Sequence, residues 1–265
     1  MTERTCTKTG LRLVEAGGQR AYRVAKDRYG ALSARRNDHV GPLPVGFDSS
    51  AGDPRGRYDT LGSTIYLAGS RRCAYAEVLN GFRQERATIA EAAASIGMGV
   101  EEYIETIAAE AETNGLSLPW TISVDWQMDR SMYEIRLPRH GWWVRIDDAD
   151  TLRSLERLAS TAPGAPGKVA MLTATEVNGP DRDVTTLLAH VIRQQTLDDG
   201  SRPLGIAFPS RTLTGDCWAY WDRRTDEGLP PGRNDLVQVA SENVGPDPVF
   251  ADTAEFYRLP VLRTR

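Results

Sequence analysis

Cysteine and histidine are both scarce in this chain, with three of each among 265 residues. The cysteines Cys6, Cys73 and Cys217 form no close pair in the sequence and lack metal-ligand spacing. This pattern does not indicate a disulfide scaffold and favours a reducing compartment. No apolar run reaches the roughly 18 residues that a membrane-spanning helix needs, and the N-terminus lacks the apolar core of a signal peptide. We therefore expect a cytoplasmic protein with no membrane partner.

An excess of basic charge is also missing. The 32 basic and 36 acidic side chains leave a net charge of -4, which argues against a general nucleic-acid binder but permits a local basic pocket. Residues 87–128 contain no Lys or Arg. A helix-turn-helix at this position would present only acidic charge to DNA phosphates, so we disfavour DNA binding. The glutamates of its second helix are Glu101, Glu102, Glu105, Glu110 and Glu112.

The remaining composition is that of an ordinary globular protein, with 40% apolar and 26% charged residues. A chain of this length holds either one large domain or two small ones, and it can bury a core without crosslinks. The Pro- and Gly-rich segment 160–168 is either a boundary between two domains or a surface loop. The sequence leaves both interpretations open.

The stretch 56–79, GRYDTLGSTIYLAGSRRCAYAEVL, joins a predicted strand to a predicted helix. Its segment TIYLA has the β-branched and aromatic residues of a buried strand, and Ser70 can cap the helix that follows. Glu77 would then lie among apolar helix neighbours. It either pairs at the surface with Arg72 or Arg83, or belongs to a functional site.

Three nearby side chains favour the second alternative for Glu77. Arg57 and Tyr58 precede the strand and Tyr66 lies within it. The three side chains can therefore lie around the rim of one pocket together with Glu77. Residues 30–56, which are rich in turn signals, lead directly into this cluster. Because so long a loop is uncommon inside a compact domain and is often functional, we expect it to cover a ligand.

Periodicity and turn signals predict the other elements. A strand at 21–24 places Arg23 on the face opposite its two neighbours. The acidic group Asp147, Asp148 and Asp150 suggests either a metal site or a helix cap, and we favour the cap because no histidine lies nearby in sequence. The other predicted elements are helices over 84–114, 151–159 and 184–197 and strands over 120–126, 132–137, 142–146, 204–208, 236–240 and 256–262.

Three pieces of sequence occur in a distinctive order: Arg23 in a first strand, G-R-Y through I-Y-L-A to A-E over 56–77, and G-I-A-F-P-S-R over 205–211. This order resembles the RES-domain family, which includes toxins of bacterial toxin-antitoxin pairs. The resemblance covers roughly residues 20–80 and 180–222. The segment at about 84–116 is then a helical insertion, and about 226–265 is a C-terminal extension of a single domain spanning 1–265.

The resemblance implies an α+β fold, with an ADP-ribosyltransferase-like mixed β-sheet core and flanking helices. It also implies an enzyme that attacks NAD by phosphorolysis, hydrolysis or transfer of ADP-ribose to a target protein. The expected partners are NAD, inorganic phosphate and an antitoxin or target, and no metal cofactor is expected. The residues carried over are Glu77, Arg57 and Ser210 as catalytic groups, and Arg23, Arg57, Tyr58, Tyr66 and Ser210 as NAD-binding groups.

The chemistry of these side chains suits such a reaction. A carboxylate such as Glu77 can stabilise the oxocarbenium character that develops when the nicotinamide–ribose bond breaks. Arginine forks suit a pyrophosphate, and a tyrosine such as Tyr66 can stack on a ring. The alternative hypothesis is a protein without enzymatic activity that uses the acidic helices at 86–114 to bind a partner.

Overall fold

The computed structural model describes residues 2–44, 53–118, 120–162 and 167–262, with the side chains of 84–87 and 168 excepted. Strands and helices are both abundant, so the α+β class is confirmed. The strands are β1 (Glu3–Thr5), β2 (Arg12–Glu15), β3 (Arg20–Lys26), β4 (Arg35–Asn37), β5 (Gly62–Ala68), β6 (Arg130–Arg136), β7 (Trp142–Arg145), β8 (Gly205–Pro209), β9 (Asp216–Trp221) and β10 (Val237–Asn243). The α-helices are α1 (Arg71–Ser95), α2 (Val100–Thr113), α3 (Val124–Met128), α4 (Ala149–Ala159), α5 (Ala174–Asn178), α6 (Arg182–Arg193), α7 (Arg223–Glu227) and α8 (Pro248–Phe256).

Within the described ranges the strands form one mixed sheet in the order β1-β2-β7-β8-β9-β5-β3-β6-β10, with β4 paired to β5. The pair β7–β8 is parallel and the other named pairs are antiparallel. Buried apolar side chains cover both faces. One face packs against α1, α4, α6 and α8, and the other is covered by loop residues such as Ala31 and Leu236.

The sheet opens between β3 and β5. Strand β5 pairs with β9 along Thr64–Ala68, but it meets β3 only where Tyr22 pairs with Ala68. Beyond that pair the edge of β5 is taken up by β4, which starts pairing at Thr64. The gap between the two central strands is lined by side chains from both of them.

Helix α1 begins where the sequence predicts it. The Ser70 hydroxyl accepts a hydrogen bond from the backbone N–H of Cys73 at 3.1 Å and caps the first turn. The predicted helical segment 84–114 is confirmed with one break, because α1 continues to Ser95 and α2 starts only at Val100. No helix in the described ranges is both long and apolar enough to cross a bilayer.

Two predicted strands were wrong. In place of a strand over 120–126, the Ser123 hydroxyl accepts from the N–H of Trp126 and starts the short helix α3. In place of a strand over 256–262, α8 runs to Phe256, and only Val261 forms an isolated bridge, with Ile122. In both cases a cap set the backbone conformation against the local β propensity.

The predicted loop over 30–56 contains strand β4, and its part at 45–52 lies outside the described residues. The connector at 160–168 is described only in part. Asp148 caps α4 by accepting from the N–H of Asp150 at 2.9 Å, as the cap hypothesis predicted.

A buried carboxylate joins α1 to α8. Asp247 accepts from Arg71 at 2.7 Å and from the Tyr75 hydroxyl at 2.5 Å, and it caps α8 through the N–H of Val249. Replacing Asp247 by alanine should lower the free energy of unfolding by about 3 kcal/mol, because a buried ion pair and a cap are lost together. Chemical denaturation measures this effect. Replacing Glu242, the exposed partner of Arg71, by alanine should change the free energy of unfolding by less than about 1 kcal/mol. Equal losses of stability in the two variants would refute the structural role of Asp247.

Candidate functional site

A cavity of about 290 Å³ occupies the gap between β3 and β5 and extends to α1 and the start of α6. Its volume is close to the lower end of small-molecule sites. Its wall combines apolar side chains such as Val24, Val78 and Phe208 with several charged ones. The charged lining residues are Arg23, Arg57, Glu77, Arg182 and Arg211.

Glu77 faces this cavity from the second turn of α1. Its Oε1 accepts from the Ser210 hydroxyl at 2.7 Å and from the backbone N–H of Arg211 at 2.9 Å. Its Oε2 lies 3.5 Å from Nε of Arg211. The carboxylate is therefore held in one orientation by groups from the other end of the chain, and one oxygen is left with a single long contact.

The surface pairing considered for Glu77 is not what the structure has. The Arg72 guanidinium lies over the Phe256 ring, and that of Arg83 lies over the Tyr257 ring. Arg211 is the arginine that Glu77 meets. The partner of Glu77 is therefore Arg211, and neither Arg72 nor Arg83.

Ser210 lies directly behind Glu77. It follows β8 and is 1% exposed, and its hydroxyl is within 2.7 Å of the Thr212 hydroxyl and 3.3 Å of the Thr214 hydroxyl. Its backbone N–H donates to the Gly215 carbonyl at 2.8 Å, which closes the turn into β9. The position of Ser210 suits orientation of the carboxylate more than direct contact with a ligand.

Arg57 is a buried cation, with 6% of its surface exposed. Its Nη1 donates to the Asn178 carbonyl at 3.0 Å, and its guanidinium carbon lies 5.0 Å from the Phe208 ring centre and 5.4 Å from that of Tyr58. Among the described residues no carboxylate forms an ion pair with it. A buried charge in this situation is unfavourable unless an anion approaches it.

Arg182 and Arg211 were not predicted as site residues. Arg182 donates to the backbone carbonyls of Arg55 at 2.9 Å and Gly179 at 3.3 Å. Burial and the neighbouring charge of Arg57 lower the pKa of Arg182. Arg211 directly follows Ser210, so the motif itself could have indicated it, whereas Arg182 opens a helix that only the fold brings to the cavity.

The Tyr66 ring lines the cavity while its hydroxyl holds the turn that carries Arg57. The hydroxyl donates to Asp59 at 2.9 Å and accepts from the N–H of Tyr58 at 2.9 Å. The Asp59 carboxylate also accepts from the N–H of Gly56 at 2.6 Å. Burial raises the pKa of Asp59 and raises the pKa of Tyr66 well above its usual value. Tyr66 therefore combines a cavity-facing ring with a structural hydroxyl.

The other two predicted ligand contacts are placed differently. Tyr58 is 1% exposed, and it packs on Phe208 behind the cavity wall and donates to the Val177 carbonyl. Arg23 lines the cavity, but strand alternation turns its side chain away from Val24, and its Nη1 donates to the Ala31 carbonyl at 2.8 Å. Burial lowers the pKa of Arg23. The structure thus gathers Arg57, Tyr66, Glu77 and Ser210, with Arg23 at the margin and Tyr58 behind.

Replacing Tyr66 by phenylalanine should lower the free energy of unfolding by about 1 to 3 kcal/mol, because buried groups on Asp59 and Tyr58 lose their partner. Thermal or chemical denaturation measures the change. Tyr220 on the neighbouring strand β9 provides the matched control. Its hydroxyl makes no hydrogen bond to a described residue, so its change to phenylalanine should be nearly neutral; a Tyr66 effect no larger than that of Tyr220 would contradict the network.

These groups define what the cavity can do chemically. Three guanidinium groups, on Arg57, Arg182 and Arg211, can hold an anionic ligand bidentately. The oriented Glu77 carboxylate can face positive charge that develops on the same ligand. No histidine is among the described lining residues.

No protein-family model, curated protein or solved structure matches this chain.

Proposed function

We propose that this chain is an NAD-consuming enzyme that cleaves the bond between nicotinamide and ribose. One observation carries the proposal: in a single cavity, the buried Arg57 meets no carboxylate among the described residues, while the Glu77 carboxylate is fixed by Ser210 and Arg211. A ligand that carries a permanent negative charge would pair with Arg57, and a carbon of the same ligand that becomes positively charged during reaction would face Glu77.

Glu77 acts on the ribose in this mechanism. Loss of nicotinamide gives the ribose oxocarbenium character, and a carboxylate oxygen at that face stabilises it more in the transition state than in the ground state. Nicotinamide carries a positive charge while bound and leaves as a neutral ring, so no general acid is required.

The arginines act on the pyrophosphate. Arg57 and Arg182 have only carbonyl acceptors among their described partners, so phosphate oxygens would supply their missing counter-charge. Arg211 is next to Glu77 and would bridge the anionic and reacting parts of the ligand. The Tyr66 ring lies where a nicotinamide or its ribose could pack against it.

The finer fold assignment belongs to the same proposal. Two motif pieces, 56–77 with Arg57 and Glu77 and 205–211 with Ser210, come from distant parts of the chain and meet beside one cavity at the opened sheet. This convergence supports an ADP-ribosyltransferase-like core and membership of the RES-domain family. A toxin role, with an antitoxin or target protein as partner, extends that proposal.

The test is incubation of the purified protein with NAD, followed by chromatography of the products with and without inorganic phosphate. We expect release of nicotinamide. Free ADP-ribose indicates hydrolysis, a phosphorylated ADP-ribose that needs added phosphate indicates phosphorolysis, and ADP-ribose on protein indicates transfer. No loss of NAD with phosphate, water or a cell extract as acceptor would refute the proposed function.

A second candidate function rests on α2. None of its residues is buried, and Val100 at its start is 41% exposed, which leaves an acidic, partly apolar helix open to a partner protein. If binding is the function, it survives loss of Glu77 and Arg57 and fails when Val100, Tyr103 and Ile107 are replaced together. The opposite pattern would leave only the enzymatic proposal.

A further inference from the structure

Two of the three cysteines, distant in sequence, meet beside the cavity. The sulfur atoms of Cys73 on α1 and Cys217 on β9 lie 3.6 Å apart, which is van der Waals contact. Both are reduced and buried, and Cys217 lines the cavity. The third thiol, Cys6, is buried in the core and provides an internal comparison.

The surroundings of Cys73 favour a thiolate. It lies in the first turn of α1, where the helix dipole stabilises negative charge. A hydrogen bond from Cys217, with further contributions from the Thr214 and Ser210 hydroxyls, lowers the pKa of Cys73 to about 7 against the effect of burial. Glu77, one turn further along α1, acts in the opposite direction on the same pKa. A thiolate beside a second thiol can pass through a sulfenic acid to a disulfide, because the second thiol lies within reach of the oxidised sulfur.

We propose that Cys73 and Cys217 form a site of reversible oxidation, at which a small hydroperoxide such as hydrogen peroxide converts the two thiols to a disulfide. The Cys73 thiolate attacks one peroxide oxygen, the O–O bond breaks, and the released hydroxide takes up a proton to become water. The resulting sulfenic acid is attacked by the Cys217 sulfur, which forms the S–S bond and releases a second water. Two thiols are oxidised and one peroxide is reduced.

Disulfide formation would act on the proposed active site, and this step rests on the proposed function. Cys73 is on the same face of α1 as Glu77, four residues away, and Cys217 follows the turn that starts at Ser210. Shortening the sulfur separation from 3.6 Å to about 2.05 Å moves α1 against β9, across the contact between Glu77 and Ser210. We expect NAD cleavage to fall about 10- to 100-fold on oxidation and to recover with a dithiol reductant.

The test uses the folded wild-type protein, so it does not depend on any variant. The protein is treated with a small excess of hydrogen peroxide, its remaining thiols are alkylated under denaturing conditions, and its peptides are mapped by mass spectrometry. We expect a peptide pair linked through Cys73 and Cys217, with Cys6 alkylated. Full alkylation of Cys73 and Cys217, their separate conversion to sulfinic acids, or a link to Cys6 would overturn the proposal.

A second measurement separates this inference from the proposed function. The variant C217S should retain its own untreated level of NAD cleavage after peroxide, whereas C6S should be inactivated like the wild type. Inactivation of C217S to the wild-type extent would refute the regulatory effect. If no preparation cleaves NAD, the proposed function fails, and the peptide map alone still decides whether the two cysteines form the oxidation site.

Discussion

The variant Glu77→Gln should cleave NAD about 10²- to 10³-fold more slowly than the wild type, with little change in KM. Glutamine keeps an oxygen that can accept from the Ser210 hydroxyl and the Arg211 N–H, so the local structure should persist. What disappears is the negative charge that faces the developing oxocarbenium. Single-turnover measurement of nicotinamide release isolates this step.

Glu134 supplies the matched control for Glu77. Its side chain is 19% exposed and pairs with Arg20, and that of Glu77 is 23% exposed and pairs with Arg211. Glu134→Gln removes a comparable carboxylate on β6 that is not itself among the described lining residues, and should leave NAD cleavage within about twofold of the wild type. Undiminished turnover by Glu77→Gln, or an equal loss in both variants, would remove Glu77 from the proposed mechanism.

The variant Arg57→Ala should raise the KM for NAD about 100-fold, because a charge-assisted contact with phosphate contributes about 2 to 3 kcal/mol. The free energy of unfolding should not fall in parallel. Among the described residues Arg57 has no carboxylate partner, so its removal leaves no buried carboxylate unpaired. Initial rates over a range of NAD concentrations, together with a thermal melt, separate the two effects.

Arg193 is the matched control for Arg57, because it is a buried arginine that does have a carboxylate partner. It is as buried as Arg57, at 6% exposure, but it pairs with the Asp226 carboxylate. Arg193→Ala should therefore lower the free energy of unfolding by about 3 kcal/mol and leave the KM of the folded fraction nearly unchanged. If Arg57→Ala destabilises the protein as much and leaves KM unchanged, Arg57 is a structural residue.

Sequence patterns predicted the elements around the site well because those elements obey local rules. The strand before Ser70 and the helix after it combine β-branched residues, a cap and an apolar periodicity, which all favour the same structure. The segments at 120–126 and 256–262 were wrong because aromatic and aliphatic residues suggested strands while caps at Ser123 and Asp247 set helices. A single hydroxyl or carboxylate that accepts from the backbone decided the outcome.

The candidate site was predictable only where a local sequence motif contributes its residues. Glu77 was conspicuous as a carboxylate among apolar helix residues, and the structure places it in contact with Ser210, which the resemblance also named. Arg182 was not predictable, because an arginine at the first position of a helix is common and only the tertiary fold brings it beside Arg57. The pairing of Cys73 with Cys217 was hidden for the same reason, since 143 intervening residues separate them.

The position of Gly56 bears on how such motifs change over evolution. A Cβ placed on Gly56 would lie 2.5 Å from the Tyr66 hydroxyl oxygen and 2.8 Å from two ring carbons. The glycine is therefore required by the size of the side chain ten residues later and not by an unusual backbone angle. We expect the two positions to covary across distant relatives, with a larger residue at 56 tolerated only where 66 has lost its ring.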